Sequence, residues 1–208
     1  MKTFFICCAA LLMTGSVYSQ NIQLNTPDKT RGSVVMKALS DRHSDREFSE
    51  KELSTQDLSD LLWAANGINR ADGKRTAASA RNVQDVDVYV FMAKGAYLYD
   101  YKANALNLVA AGDHRALVGA GQGTVDKAPV MIVLVTNLTR FGKIDDHART
   151  FGAFDCGLVS QNIALFCSGC GLSTVPRATM KIDEIKKLLN LSENELPIIN
   201  NPVGYPKQ

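Results

Sequence analysis

The sequence has 208 residues, 46% of them hydrophobic and 21% charged, and its 23 basic and 21 acidic side chains leave a formal charge of +2. That length bounds one ordinary domain whose core can stand without disulfides or metals. The composition excludes a disordered or collagen-like chain. The near-even charge removes any general basis for binding nucleic acid, which calls for a concentrated basic excess.

In chain order, Lys2 precedes an apolar run from Phe4 to Met13, and small residues follow at Val17 and Ser19. This arrangement predicts a secretory signal peptide over 1–19, cut after Ser19, so the mature chain is expected to be exported to the periplasm. The run is shorter than the ~20 residues that a transmembrane helix needs, and no second apolar span follows. A lipoprotein modified at Cys7 or Cys8 is the less favoured alternative, because so few residues would precede the modified cysteine. Residues 20–33 are polar, include Pro27, and read as an exposed lead-in to a domain spanning 34–208.

A first helix is predicted over Val34–Leu39, and it hands over to a wholly polar stretch, Ser40–Arg46. Ser54 and Asp57 form a capping box ahead of Leu58, Leu61, Leu62 and Ala65, which recur at helical spacing until Gly67 ends the helix. Residues 67–82 lack apolar periodicity and read as a loop. Two period-two runs, Val86–Phe91 and Tyr97–Tyr101, flank Lys94-Gly95 as a β-hairpin, and Asn104–Val109 adds a third strand. Val130–Val135 is apolar throughout, as a strand covered on both faces would be. A long helix opens at Asp145 or Asp146 and closes near Gly169–Gly171; a last helix, Lys181–Leu189, precedes an extended segment from Pro197 to Pro206. Helices interspersed with a meandering set of strands predict an α+β fold.

Cys167 and Cys170 have C-x-x-C spacing, but neither a second pair nor a nearby histidine completes a zinc site. Small apolar residues on a buried helix are the preferred reading, with a short-range disulfide left open in an oxidising compartment. His114 and His147 have no partner pattern and read as surface or helix-end residues.

Three segments have the residue types for ligand chemistry. Arg42-His43-Ser44-Asp45-Arg46 sets two guanidinium groups around a hydroxyl, a spacing suited to an anionic group; taken alone, a solvated loop with a local Asp45–arginine pair is the better reading. Arg75–Asn82 is rich in small residues, which let a backbone approach a flat ligand, and ends in an amide that both donates and accepts. Gly171–Thr179 is by itself only a helix exit and a turn.

In this order the segments resemble the FMN-dependent nitroreductase family. Its R-x-S-x-R/K pattern falls on Arg42, Ser44 and Arg46, its L-L-W-A-A-x-G on Leu61–Gly67 and its R-T-x-P-S-A/S-x-N on Arg75–Asn82. D-x-G-x-x-x-Q-N follows at Asp155, Gly157, Gln161 and Asn162, then G-L-x-x-V-P at Gly171–Pro176 and P-V-G-Y-P at Pro202–Pro206. The short loop most resembles the branch of azoline-oxidising dehydrogenases of peptide maturation. Ala78 stands where the family often has proline, and Asp85-Val86 replace the proline-tryptophan pair of other branches.

The resemblance implies a central, mainly antiparallel sheet flanked by helices, in a homodimer with FMN at the interface. It implies that Arg42 and Ser44, with His43 adjacent and Lys207 assisting, hold the FMN phosphate, and that Arg46 lies at the pyrimidine edge. Ser79, Ala80 and Asn82 would contact ring and ribityl chain. The turn of Val175, Pro176, Arg177 and Ala178 would bring the Ala178 N–H to flavin N5. The expected activity is two-electron transfer between flavin and a small organic substrate such as a nitroaromatic or quinone, with NAD(P)H as a candidate donor. No acid–base side chain or metal is needed, because the cofactor supplies the chemistry. Two alternatives are an exported, non-catalytic flavin-binding module and a flavin-dependent dehydrogenase of a heterocyclic or peptide substrate.

Overall fold

The computed structural model describes residues 21–207, so the signal-peptide expectation for 1–19 lies outside the described residues. Strands β1 (Ile22–Gln23), β2 (Val86–Met92), β3 (Gly95–Asp100), β4 (Ala105–Ala111), β5 (Val130–Asn137), β6 (Ser173–Thr174) and β7 (Glu195–Gly204) form one sheet. Its order is β1-β4-β3-β2-β5-β7-β6, with every neighbouring pair antiparallel. The helices are α1 (Val35–Asp41), α2 (Thr55–Asn66), α3 (Arg115–Gly119), α4 (Asp146–Cys170) and α5 (Ile182–Leu188). This is the expected α+β class with an antiparallel sheet between helices. Among the described residues no helix is long and apolar enough to cross a membrane.

The sheet is covered on both faces because its central strands are apolar at odd and even positions alike. Val88, Val90, Ile132 and Leu134 pack with Leu61, Leu62 and Ala65 of α2 and Cys156, Val159 and Ile163 of α4. Tyr89, Phe91, Met131, Val133 and Val135 form the opposite layer with Val118 of α3 and Ile185 of α5. The α2 cap is as the sequence predicts: the Asp57 N–H donates to Ser54 Oγ at 3.0 Å, and Gly67 ends the helix. The short α3 was invisible to periodicity, since five residues complete too few turns to show a pattern.

The lead-in is exposed over most of its length, yet it is fastened to the body. Ile22–Gln23 pair with β4, Leu24 is buried, and the Arg31 guanidinium bridges Asp57 and Asp60 of α2. Burial would raise the Asp57 carboxyl, but hydrogen bonds from Ser54, Tyr205 and Arg31 outweigh it and hold the group below the ordinary carboxylate range.

α4 crosses the sheet at close range because residue 152 is glycine. A Cβ there would collide with the Thr136 hydroxyl of β5, so the helix could not settle at this depth with any larger residue. This close crossing brings the next turn of α4, with Asp155 and Cys156, down among buried residues at the start of β2.

Candidate active site

Arg42 leaves α1 in an extended conformation, its N–H still bonded to Ala38 O. In an extended chain alternate side chains point to opposite sides, and the segment follows that rule. Asp45 turns toward the C-terminal end of α4, where it accepts from the Ser173 hydroxyl, while its N–H donates to Thr174 O at 3.0 Å. Burial would raise the Asp45 carboxyl; the Ser173 hydroxyl and the backbone N–H of Glu47 overcome this and keep it low. His43, bonded through Nδ1 to Asp41 O, joins Asp41 and Asp45 in lining a cavity of about 230 Å³ against Ser168, Ser173, Thr174 and Pro206.

Arg42, Ser44 and Arg46 do not line that cavity. Ser44 and Arg46 are exposed and Arg42 is half-buried, and none of the three side chains makes a hydrogen bond or ion pair among the described residues. The structure therefore separates His43 from the two arginines and Ser44. The C-terminus arrives beside them: Phe48 bridges Pro206, and Lys207 Nζ lies 3.6 Å from a Glu47 carboxylate oxygen. Arg42 and Arg46 thus stand on one segment, with Lys207 arriving at its end through Glu47.

The turn after β6 belongs to the same end of the molecule. Val175 is buried and Pro176 and Ala178 are exposed; the Ala178 N–H makes no hydrogen bond among the described residues. Arg177 differs from the other arginines. Its guanidinium donates to Val118 O (3.4 Å), Gly119 O (3.0 Å), Asn200 Oδ1 (3.1 Å) and Gln122 Oε1 (2.8 Å), and its backbone exchanges two bonds with Asn200. Its side chain closes the C-terminus of α3 and fixes the turn, and its main-chain N–H and C=O are both committed to Asn200. Thr174, 4% exposed, carries a buried hydroxyl with no partner among the described residues at the inner wall of this region.

The small-residue loop lies elsewhere. Arg81, Asn82 and Gln84 have φ of 54°, 55° and 51°, a left-handed run that costs free energy unless the surroundings impose it. Here they do: Ala80 N–H donates to Asp155 Oδ2 at 2.8 Å, Gln84 N–H to Ser79 Oγ at 2.9 Å, and Arg81 to Phe141 O at 3.0 Å. Ala80 and Val83 pack on Leu138, Phe141 and Ala148. Ser79, Ala80 and Asn82 are therefore held beside the N-terminal half of α4, whereas the Arg42–Arg46 segment sits at its C-terminal end against Ser168–Thr174. From Asp155 to Ser168 the helix rises about 20 Å at 1.5 Å per residue. One chain brings Arg42, Ser44, Arg46, the 175–178 turn and Lys207 together, and it does not bring Ser79, Ala80 and Asn82 to them.

Sequence reading missed Thr174 and Asp155 as site-forming residues. Asp155 stood in a quoted motif, but only the tertiary fold shows that it holds the left-handed loop.

The family model described as the nitroreductase family matches residues 39–205. A candidate nitroreductase of Methanocaldococcus jannaschii is 27% identical over 173 residues, which cover 78% of this chain and 86% of that protein. A crystal structure of a candidate nitroreductase from Ralstonia eutropha JMP134 superposes with a TM-score of 0.85 and 36% identity, covering 92% of each chain. One from Anabaena variabilis has a TM-score of 0.76 at 17% identity; this chain spans 45% of its length, and at that identity the likeness concerns the fold alone.

Proposed function

The chain belongs to the nitroreductase family of oxidoreductases, and we propose that it binds FMN between two copies of itself and moves electron pairs to or from a small organic substrate. The observation that carries this reading is the splitting of the site. Uncommitted donors gather at the C-terminal end of α4, and the strained small-residue loop is built about 20 Å away at the other. Two copies packed antiparallel along α4 would set the loop of one beside the arginines of the other, making two composite sites.

The surface favours that packing. Phe151, Phe154 and Leu158 recur at helical spacing on the outer side of α4, with Phe154 63% exposed, and Val35, Met36 and Leu39 are exposed on neighbouring α1. Exposed apolar side chains grouped in this way on a folded chain mark an association surface.

The residues fit the cofactor. Among the described residues Arg42, Ser44 and Lys207 have no side-chain partner that they must give up to hold a phosphate, apart from the loose exposed Lys207–Glu47 contact, and arginine forks match phosphate oxygens. Arg46 supplies a fixed positive charge, and the free Ala178 N–H a donor, for the ring. Bound FMN supplies the two-electron chemistry; the chain's part is to bind, to orient, and to hold charge where it is needed. NAD(P)H is the proposed donor.

Rapid-mixing reduction of the reconstituted protein by NADH, NADPH and quinols tests the activity. Bleaching of bound flavin by one of them, followed by recovery with a nitroaromatic or quinone, is the expected result. Flavin that is retained and reduced by none of them would mark a binding module instead.

A further inference from the structure

Asp85 and Asp155 form a buried carboxyl pair that ordinary structural duty does not explain. Asp85 is fully buried at the head of β2, directly after the left-handed Gln84. Its Oδ2 accepts from the Thr136 hydroxyl at 2.6 Å, and its Oδ1 is buried with no donor among the described residues. Asp155, 3% exposed, comes down from α4 beside it and accepts from Ala80 N–H with Oδ2. Asp155 holds the beginning of the loop at Ala80, and Asp85 stands at its end with its carboxyl tied to Thr136 of β5. Two guanidinium groups lie nearby and both are committed elsewhere: Arg140 donates to Gln84 O and to the Asp87 carboxylate, and Arg75 to Val86 O. Asp87 of β2 is paired with Arg140, and Cys156 of α4 is a buried thiol that these three aspartates push up further. Among the described residues neither guanidinium bonds to Asp85 or Asp155, so no cation is paired directly with the two carboxyls.

From this geometry we propose that Asp85 is a positioning residue held as a neutral carboxylic acid, which donates its proton to Asp155 and so locks the Ser79–Gln84 loop in its ligand-ready shape. The proton supplies the donor that the buried oxygens otherwise lack. Two carboxylates this close in a low-dielectric site cannot both be charged without cost. Burial is the main influence on Asp85 and the neighbouring Asp155 adds to it, together raising it to about 7. Above that pH the pair repels, Asp155 is pushed off Ala80, and the left-handed run loses the contacts that pay for it.

For its flavin readout the proposal rests on the FMN reading, and a second readout does not. Asp85→Asn keeps a donor toward Asp155 and an acceptor for Thr136 but cannot ionise. The carboxylic-acid carbonyl band in the infrared spectrum of the flavin-free protein should be present at pH 6, fade by pH 8.5, and be missing from Asp85→Asn. In the holoprotein, the FMN dissociation constant of the wild type should rise up to about tenfold per pH unit above 7 relative to that of Asp85→Asn. The phosphate of the flavin titrates equally in both and cancels. Asp155→Asn should bind FMN more weakly at every pH. Absence of a protonated-carboxyl band at pH 6, or its persistence in Asp85→Asn, would overturn the assignment whether or not FMN binds. A normal band with pH-independent binding in both proteins would show that the pair does not position the loop. If FMN does not bind at all, the infrared result still decides the protonation and the flavin reading alone fails.

Discussion

Replacing Arg42 and Arg177 separately by alanine distinguishes a ligand-holding arginine from a structural one. Arg42 has no side-chain partner among the described residues, so Arg42→Ala should leave the melting temperature of the flavin-free protein within the range of an ordinary surface change, about 0.5 kcal/mol. Its cost should fall on the cofactor: one charge-assisted phosphate contact is worth about 1.5–3 kcal/mol, or roughly a 10- to 150-fold rise in the FMN dissociation constant. Arg177 makes four side-chain hydrogen bonds, two of them to the carbonyls that end α3. Removing them should cost about 2–3 kcal/mol of folding stability, a fall of about 4–12 °C in the melting temperature for a chain of this size. Differential scanning calorimetry of the flavin-free proteins and fluorescence titration with FMN give both numbers. Equal destabilisation by the two substitutions, or unchanged flavin affinity in Arg42→Ala, would refute the division of roles.

Four further outcomes follow from particular contacts. Phe154→Asp puts a charge in the exposed apolar stripe of α4 and should yield a folded monomer by light scattering that has lost flavin, since neither half-site then has its complement. Arg31→Ala leaves Asp57 and Asp60 uncompensated in a largely buried position and should cost about 2–3 kcal/mol, with faster proteolysis of residues 21–33. Because Asp57 is held below its unfolded value, the unfolded chain binds more protons on acidification. Its contribution is therefore complete above about pH 4 and is lost as pH falls further; urea titrations of wild type and Asp57→Asn should converge toward low pH. Gly152→Ala should lift α4 from β5 and cost about 1–3 kcal/mol, and calorimetry at neutral pH would report it.

What could be read from sequence was whatever repeats locally. The Ser54–Asp57 cap, the helix to Gly67, the Lys94-Gly95 hairpin and the doubly covered β5 each have a period or a punctuating residue that announces them. The helix α3 is too short to do so, and the fastening of the lead-in depends on Arg31 meeting two carboxylates more than twenty positions away in sequence. The site was legible as residue types and not as directions: Arg42, Arg46 and Arg177 look alike in one dimension, yet one of the three is consumed inside the fold. Likewise, nothing local marks Asp85 and Asp155 as neighbours; that contact exists because Gly152 admits α4 close to β5.

The composite site is tested most directly by complementation between two damaged chains, Arg42→Ala and Asn82→Ala, each carrying a different affinity tag. Purified alone, each should retain little FMN. Co-expressed and re-associated at random, they should recover tight binding at up to about a quarter of all sites, because each mixed dimer pairs one intact 79–82 loop with one intact Arg42 segment. Recovery confined to the doubly tagged fraction is the predicted result. Failure of the mixed dimer to bind any more flavin than either parent would contradict a site shared between two chains.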